Sequence, residues 1–229
     1  MPEKLKEQVL EANLELWRKG LILFTWGNVS AIDRETGLVV IKPSGVPYEQ
    51  LTTGNLTVVN LEGKQFGKGF KPSSDTATHL ELYRAFPNIN SVAHSHSHFA
   101  TVWAQARRPI PALGTTGADY FHGEIPITRP ITAGEISRGY EVETGRVIVE
   151  RFADLDPASI PGVLVHSHGP FTWGATPAAA VENMIVLEEI ARLAWHTLAL
   201  EPGAQPMDDA LLDKHFLRKH GSGKYYGQD

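Results

Sequence analysis

The sequence predicts an α/β or α+β sandwich in which helices cover a largely antiparallel sheet. The order of its segments is helix, β-meander, helix, strands and helix, and this mixture is typical of layered folds. The chain has 229 residues, of which 42% are hydrophobic, so it can bury a sizeable core. No linker interrupts it, and we expect a single domain over residues 1–229.

The first third of the chain predicts one helix and two β-hairpins. Residues 3 to 19 carry a helical stripe of apolar side chains that Gly20 ends. "NVSAIDRETGLVVIKPSG" then has two strand patterns separated by a Thr36-Gly37 turn, and "NLTVVNLEGKQFGKG" has the pattern of a second hairpin. These segments predict the antiparallel part of the sheet.

Helix and strand patterns alternate in the remaining segments. "KPSSDTATHLELYRAFPN" predicts a helix that begins at N-capping residue types and ends at Pro87. "SVAHSHSHFATVWAQ" predicts a strand that runs into a helix, and "PGVLVHSHGPFTWG" predicts a further strand. Thr176-Pro177 is a start signal for a long helix that extends to residue 200.

Charge and cysteine content exclude several classes of function. A net charge of -5 provides no overall basic field for nucleic acid or an anionic membrane, which favours small-molecule substrates. The chain has no cysteine, so it contains neither a disulfide framework nor a thiolate metal site. The first 20 residues mix charged and apolar side chains, unlike a signal peptide or a membrane span, and we expect a cytoplasmic protein.

Two H-x-H patterns predict a site for a divalent metal. The patterns are His94 and His96, followed by His98, and His166 and His168. Residues two apart on a strand project to the same side, so one pair of imidazoles can share an ion. A single histidine is more often a core or surface group, but two such pairs without any cysteine favour a metal. Asp75 could add an oxygen ligand, while the spacing leaves open whether His166 or His168 binds and whether His98 joins.

Three turn segments could bind an anion such as phosphate. They are "TWGNVS", "KPSG" and "KPSSD", which contain Gly27, Asn28, Ser44, Gly45, Ser73 and Ser74. Backbone N–H groups and hydroxyls in such turns can together surround a phosphate. Each segment alone is explained equally well as an ordinary turn or helix cap.

The C-terminal segment "LLDKHFLRKHGSGKYYGQD" is basic and ends in paired tyrosines. Its basic residues are Lys214, His215, Arg218, Lys219 and His220. One interpretation is a solvated helix followed by a loose tail. The alternative is an aromatic tail that docks over a site.

These motifs together resemble the L-ribulose-5-phosphate 4-epimerase family of the class II aldolase superfamily. The matching segments are "TWGNVS", "KPSG", "KPSSDT", the H-x-H at 94 to 96, "TTGADYF", "PGVLVHSHGPF" and "LLDKHFLRKHG...YYGQ". They occur in the same order over essentially the whole chain. The resemblance implies a three-layer α/β/α fold and a cyclic homotetramer with active sites at the subunit interfaces.

The resemblance also implies roles for individual residues. It assigns Asp75, His94, His96 and His168 to a zinc site, and Gly27, Asn28, Ser44, Gly45, Ser73 and Ser74 to the substrate and its phosphate. It makes Asp119 and Tyr226 the proton donor and acceptor, acting from a neighbouring subunit, with His215 near them. Related aldolases typically have Glu where this chain has Asp75, which favours epimerisation. Gly117 and His98 depart from the His and Arg expected of the family.

The implied reaction inverts C4 of a ketopentose phosphate by retro-aldol cleavage of C3–C4 and re-addition, with the metal as Lewis acid. Zn²⁺ is the implied metal, and a His₃ site with a carboxylate would also accept Mn²⁺ or Co²⁺. An aldolase that releases its aldehyde is the nearest alternative. A cupin-like metal module is disfavoured by the predicted helices, and a zinc hydrolase by the lack of a clear additional base. The substrate could come from arabinose catabolism or from an ascorbate-type route.

Overall fold

A computed structural model describes residues 3–226 and contains a seven-stranded antiparallel sheet. The strands are β1 (Gly27–Asp33), β2 (Leu38–Ile41), β3 (Thr57–Asn60), β4 (Gln65–Phe66), β5 (Ser91–Ser95), β6 (Gly162–Leu164) and β7 (Pro170–Gly174). Their order across the sheet is β4-β3-β2-β1-β5-β7-β6, and each neighbouring pair is antiparallel. The predicted largely antiparallel sheet is therefore confirmed.

Seven α-helices accompany the sheet within this part of the chain. They are α1 (Glu3–Arg18), α2 (Thr76–Ala85), α3 (His98–Ala106), α4 (Thr115–Ala118), α5 (Ala133–Arg151), α6 (Pro177–Leu200) and α7 (Asp209–His220). None of these helices is long and apolar enough to cross a membrane.

Helices cover both faces of the sheet because side chains alternate along its strands. On β1, Val29 packs in one cluster with residues of α1 and α6. Ile32, on the opposite face of the same strand, packs in another cluster with residues of α2. Strands that bury both faces need apolar side chains in both directions, and six of the seven β1 residues are buried. The expected three-layer α/β/α fold is confirmed.

The segment "PGVLVHSHGPFTWG" folds differently from its prediction as a single strand. It forms two antiparallel strands, β6 and β7, in which Leu164 lies opposite Pro170. The tight turn between them is closed by a hydrogen bond from Val165 N to Gly169 O at 2.9 Å. Ser167 takes a positive φ of 59°, which lets the chain reverse there. The histidine pair therefore lies on a turn and not along a strand.

The sequence prediction contained no element for residues 133–151, where the structure has α5. The helix has a low amphipathicity because its direction changes at Gly139, where φ is 150° and ψ is 93°. A local signal was present, since Thr132 and Glu135 form a capping box at its start.

The close packing of α5 on α2 generates a stability prediction. A Cβ atom at Gly145 would lie 2.5 Å from the Cβ of Glu81 and 3.1 Å from the carbonyl oxygen of Thr78. Neither atom can move without shifting α2, so Gly145→Ala should destabilise the fold by about 1–3 kcal/mol. Urea unfolding followed by circular dichroism measures this change.

Gly134→Ala is the matched control on the same helix. A Cβ there would meet only the mobile end of Arg138, at 3.8 Å. Replacing this helical glycine by alanine should leave stability unchanged or raise it by up to about 1 kcal/mol. Equal effects of the two substitutions would contradict the close-packing argument.

A buried histidine in α2 generates a second prediction. His79 is fully buried, its Nδ1 lies 2.7 Å from Ser30 Oγ, and the same hydroxyl lies 2.7 Å from Tyr83 Oη. Burial lowers the pKa of His79 to about 3, so the unfolded chain binds this proton more readily than the folded protein does. Its contribution to stability is therefore complete above pH ~6.5 and falls by about 1.4 kcal/mol per pH unit as the pH decreases toward the folded value.

Metal-free wild type and His79→Asn are compared by urea unfolding between pH 7 and 5. The free energy of unfolding of the wild type should fall more steeply with decreasing pH, by about 2 kcal/mol more over the range from pH 6.5 to 5. The slope is the diagnostic quantity, because the substitution also changes the absolute stability. Parallel slopes would exclude His79 as the titrating group.

Candidate metal centre and active site

Three histidines converge at the end of the central strands. The ligand atoms of His94, His96 and His168 all lie within 4.8 Å of one another. The Nε2 atoms of His96 and His168 are 3.1 Å apart. This spacing places three imidazole nitrogens around a single point, which is the donor set of a His₃ metal site.

The protonation states of these rings fit a bound cation. Burial, together with the neighbouring His94 and His96, lowers the pKa of His168 to about 3. Burial and His94 together lower the pKa of His96 to about 4. His94 Nδ1 lies 2.9 Å from the carbonyl oxygen of Pro170, an acceptor that places the ring proton on Nδ1 and the lone pair on Nε2. Neutral imidazoles with converging lone pairs are metal ligands, so these residues fit a divalent metal.

The backbone explains which histidines converge. β5 ends at Ser95, so His94 lies on the strand, His96 follows its end, and His98 begins α3. His98 is exposed and lies outside the group of three. On the β6–β7 turn, His168 enters the group, while the Nδ1 of His166 lies 3.0 Å from Ser167 Oγ.

Asp75 lies beside this group without belonging to it. Its Oδ2 accepts a hydrogen bond from Asn28 Nδ2 at 2.7 Å, and the same amide nitrogen lies 3.0 Å from Ser73 Oγ. Burial opposes ionisation of Asp75, but the neighbouring His94 and His79 and the bond from Asn28 lower its pKa overall. The Asp75 carboxylate therefore carries a negative charge next to the three imidazoles.

Gly27 allows β1 to approach β5 closely enough to bring Asn28 to the histidines. A Cβ atom at Gly27 would lie 2.7 Å from the carbonyl oxygen of His94 and 2.3 Å from Ile22 Cδ1. Its φ of 143° also favours glycine. Asn28 pairs directly with His94 in the sheet.

Two of the predicted anion-binding turns lie side by side next to the histidines. Ser44 N donates to Lys71 O at 2.9 Å, and Ser73 N donates to Lys42 O at 3.1 Å. These main-chain bonds join "KPSG" to "KPSSD". A cavity of about 390 Å³ is lined by both turns and by the histidines; its predicted members are Gly27, Asn28, Ser44, Gly45, Ser73, Ser74, Asp75, His94, His96 and His168.

The predicted acid/base residues form a separate group at another place on the chain. Asp119 Oδ1 and Oδ2 accept from Arg218 at 3.0 and 2.7 Å, and His215 Nδ1 lies 3.1 Å from Oδ1. Burial opposes ionisation of Asp119, but the bonds from Arg218 and His215 lower its pKa overall. The Arg218 guanidinium also lies 4.4 Å from the ring centre of Tyr226. Asp119, His215 and Tyr226 do not line the histidine cavity, and Gly227 and Gln228 of the "YYGQ" motif lie outside the described residues.

Several cavity residues were not singled out from the sequence. Lys42 is 2% exposed, and its ammonium donates to Val46 O at 2.9 Å and to Pro43 O at 3.3 Å. Burial lowers the pKa of Lys42 to about 8. The only sequence feature that pointed to Lys42 was its position in the predicted anion-binding segment "KPSG". Trp26, Tyr140 and Glu141 also line the cavity, and the latter two follow the bend in α5.

Neither departure from the family pattern lies in this cavity. Gly117 is in α4, where a Cβ atom would lie 3.3 Å from Ile190 Cδ1, and His98 is in the first turn of α3. The described cavity lining contains neither residue.

Known proteins resemble this chain in both sequence and fold. It is 54% identical over 226 residues to the L-ribulose-5-phosphate 4-epimerase UlaF of Salmonella paratyphi A, covering 99% of both chains. The same identity and coverage hold for UlaF of Salmonella typhi. A solved L-fuculose 1-phosphate aldolase superposes with a TM-score of 0.76 at 23% identity, covering 93% of this chain and 94% of that one. The aldolase likeness shows the fold alone.

A family model matches most of the chain. The model of the Class II Aldolase and Adducin N-terminal domain covers residues 7–195. Together with the full-length similarity to the epimerases, this match confirms the resemblance found in the sequence motifs. The chain belongs to the class II aldolase family.

Proposed function

We propose that this protein is a metal-dependent L-ribulose-5-phosphate 4-epimerase that interconverts L-ribulose 5-phosphate and D-xylulose 5-phosphate. The observation that carries the proposal is the single cavity in which His94, His96 and His168 meet the two serine turns. A chain with that cavity is 54% identical over its full length to proteins named for this activity. The proposal treats residues 1–229 as one catalytic domain and the protein as cytoplasmic.

His94, His96 and His168, with the neighbouring Asp75, would hold the metal. We propose Zn²⁺, for which Mn²⁺ or Co²⁺ could substitute at nitrogen and oxygen donors. When bound, the metal supplies Lewis-acid stabilisation of the negative charge that develops on the sugar oxygens during cleavage.

The two serine turns and β1 would bind the substrate. Ser44, Gly45, Ser73 and Ser74 offer hydroxyls and main-chain N–H groups to the phosphate. Lys42 stabilises the first turn, because its ammonium donates hydrogen bonds to the carbonyls of Pro43 and Val46, which flank Ser44-Gly45. Gly27 and Asn28 complete the pocket, and Asn28 Oδ1, buried without a hydrogen-bond partner among the described residues, can accept a bond from a sugar hydroxyl.

The chemistry at C4 requires two proton-transfer groups on opposite faces of the sugar. One group takes the C4 hydroxyl proton as the C3–C4 bond breaks, and the bonding electrons move into an enediolate. The aldehyde fragment turns, C3 attacks its other face, and the second group returns a proton to the new C4 oxygen. We assign these roles to Asp119 and Tyr226, with His215 holding the Asp119 carboxylate.

Asp119, His215 and Tyr226 lie away from the cavity within one chain, so they would act on a neighbouring subunit. We propose a cyclic homotetramer with each active site at an interface, since head-to-tail contacts around a closed ring repeat the same pairing at every site. A pair of subunits then shares each site: one provides the histidines and the serine turns, and its neighbour provides Asp119 and Tyr226.

The reaction is tested with purified, metal-replete protein and L-ribulose 5-phosphate. D-xylulose 5-phosphate should form without release of free glycolaldehyde phosphate, and treatment with a chelator should abolish the activity. A coupled assay follows both products together. Release of the free aldehyde would favour the aldolase alternative, and absence of any reaction would exclude this substrate.

The shared site is tested by mixing two inactive variants. Tyr226→Phe should lose about 10²–10⁴-fold in turnover while keeping its fold and metal content, because only the phenol hydroxyl is removed. His96→Asn should lose its metal. Subunits of the two variants, unfolded together and refolded, should recover up to about a quarter of wild-type turnover, since one arrangement in four pairs intact histidines with an intact Tyr226.

Recovery no greater than the mean of the separate variants would place Tyr226 in its own subunit's site or outside catalysis. Near-normal turnover of Tyr226→Phe alone would remove its proposed role. Refolded wild-type protein is the control for losses during mixing.

A further inference from the structure

We infer that Tyr140 is a positioning residue for the metal centre: its phenol oxygen accepts the Nδ1–H of His168 and so directs the Nε2 lone pair of that ring at the ion. This inference rests on the metal site of the proposed function. Tyr140 was not singled out from the sequence.

The contact accounts for both nitrogens of the His168 ring. Tyr140 Oη lies 3.1 Å from His168 Nδ1, while His168 Nε2 faces His96 Nε2 at 3.1 Å. A neutral imidazole has one N–H and one lone pair. If Nδ1 donates to the phenol, Nε2 is the atom with the lone pair, and it is the atom that faces the other ligands.

Comparison with His94 shows why His168 needs this support. His94 is buried, and its Nδ1 bonds to the main-chain carbonyl of Pro170. His168 lies on the β6–β7 turn, directly after Ser167 at positive φ. Within the described chain, Tyr140 provides the one side-chain oxygen that bonds to a ring nitrogen of the three histidines. The hydrogen bond with Tyr140 therefore orients the His168 ring, as the Pro170 carbonyl of the sheet orients the His94 ring.

The position of Tyr140 is itself held by buried contacts. Tyr140 directly follows Gly139, where α5 changes direction. Thr144 Oγ1 donates to the carbonyl of Tyr140 at 2.8 Å, and Thr78 Oγ1 of α2 donates to that of Glu141 at 2.7 Å. Both threonines are 1% exposed. The backbone that carries the phenol is thus held within α5 and bonded to α2, which fixes the position from which the phenol contacts His168.

The phenol is a suitable acceptor at neutral pH. A tyrosine side chain is a neutral phenol at this pH, and its oxygen can accept the bond from His168 Nδ1 at 3.1 Å. Partners of this kind fix the tautomer and orientation of a metal-binding imidazole, and their removal typically costs 10–100-fold in metal affinity.

Tyr140→Phe tests the inference through Co²⁺ binding to the metal-free protein. The affinity should fall about 10–100-fold, and the visible absorption of bound Co²⁺ should shift as the third imidazole loses its orientation. Tyr120→Phe is the matched control, because it removes a phenol that bonds to Glu182 at 2.7 Å outside the cavity. The control should bind Co²⁺ as the wild type does, and thermal unfolding of both metal-free variants should match the wild type.

A double-mutant cycle separates positioning from a general loss of structure. In a His168→Asn background the imidazole is absent, so Tyr140→Phe should cause little further loss of Co²⁺ affinity. A loss of similar size in that background, or unchanged affinity and spectrum of Tyr140→Phe alone, would overturn the inference. If Tyr140→Phe is less stable than the wild type, the cycle still separates the two explanations. A general structural effect would lower the Co²⁺ affinity in the His168→Asn background as well.

The metal site and the role of Tyr140 can be refuted separately by Co²⁺ binding. Wild-type protein that binds no Co²⁺ would overturn the metal site and the inference together. Wild-type protein that binds Co²⁺ as tightly as Tyr140→Phe does would leave the metal site intact and overturn only the role of Tyr140.

Discussion

The register between β1 and β5 is the constraint on which the candidate site depends. Asn28 lies opposite His94 and Gly27 opposite Ser95, so the amide and the first histidine enter the cavity together. A one-residue slip would turn every side chain of β1 to the other face of the sheet. Gly27 permits this register because its missing Cβ leaves room for the His94 carbonyl. The amide of Asn28 then reaches Ser73 and Asp75, which joins the start of α2 to the same point.

Around that register the cavity combines groups that are expensive to bury. Three imidazoles, a carboxylate and a buried ammonium line one cavity of about 390 Å³. Three of these groups have a specific partner: Asp75 has Asn28, Lys42 has two carbonyls, and His94 has a carbonyl of β7. Such preorganised polar groups bind a charged substrate without rearranging. The group around Asp119, for which we propose the acid/base role, is built in a similar way, with Arg218 holding the carboxylate. Its distance from the cavity makes association of subunits part of the proposed catalysis.

The sequence predicted most of the sheet, because two-residue alternation and glycine turns are local signals. It did not predict α5, whose bend at Gly139 breaks the apolar periodicity on which such predictions depend. It also took the second histidine pair to lie on a strand, although the chain reverses at Ser167. Among the candidate site residues, the local motifs found the histidines and the serine turns. Tyr140 and Glu141 escaped notice because the missed helix carries them to the cavity.

The sequence by itself determined the chemical inventory: a cysteine-free chain with two H-x-H pairs, three segments predicted to bind an anion, and motifs of one family in order. Spacing could not distinguish His166 from His168, since both share one pattern. The family resemblance selected His168, and the tertiary structure agrees with it, because the His168 ring lies at His96 while the His166 ring contacts Ser167. Tertiary structure decided that Asp119 and Tyr226 lie apart from the histidines in one chain. Distances between segments far apart in sequence depend on how helices and sheet pack, and no local pattern encodes them.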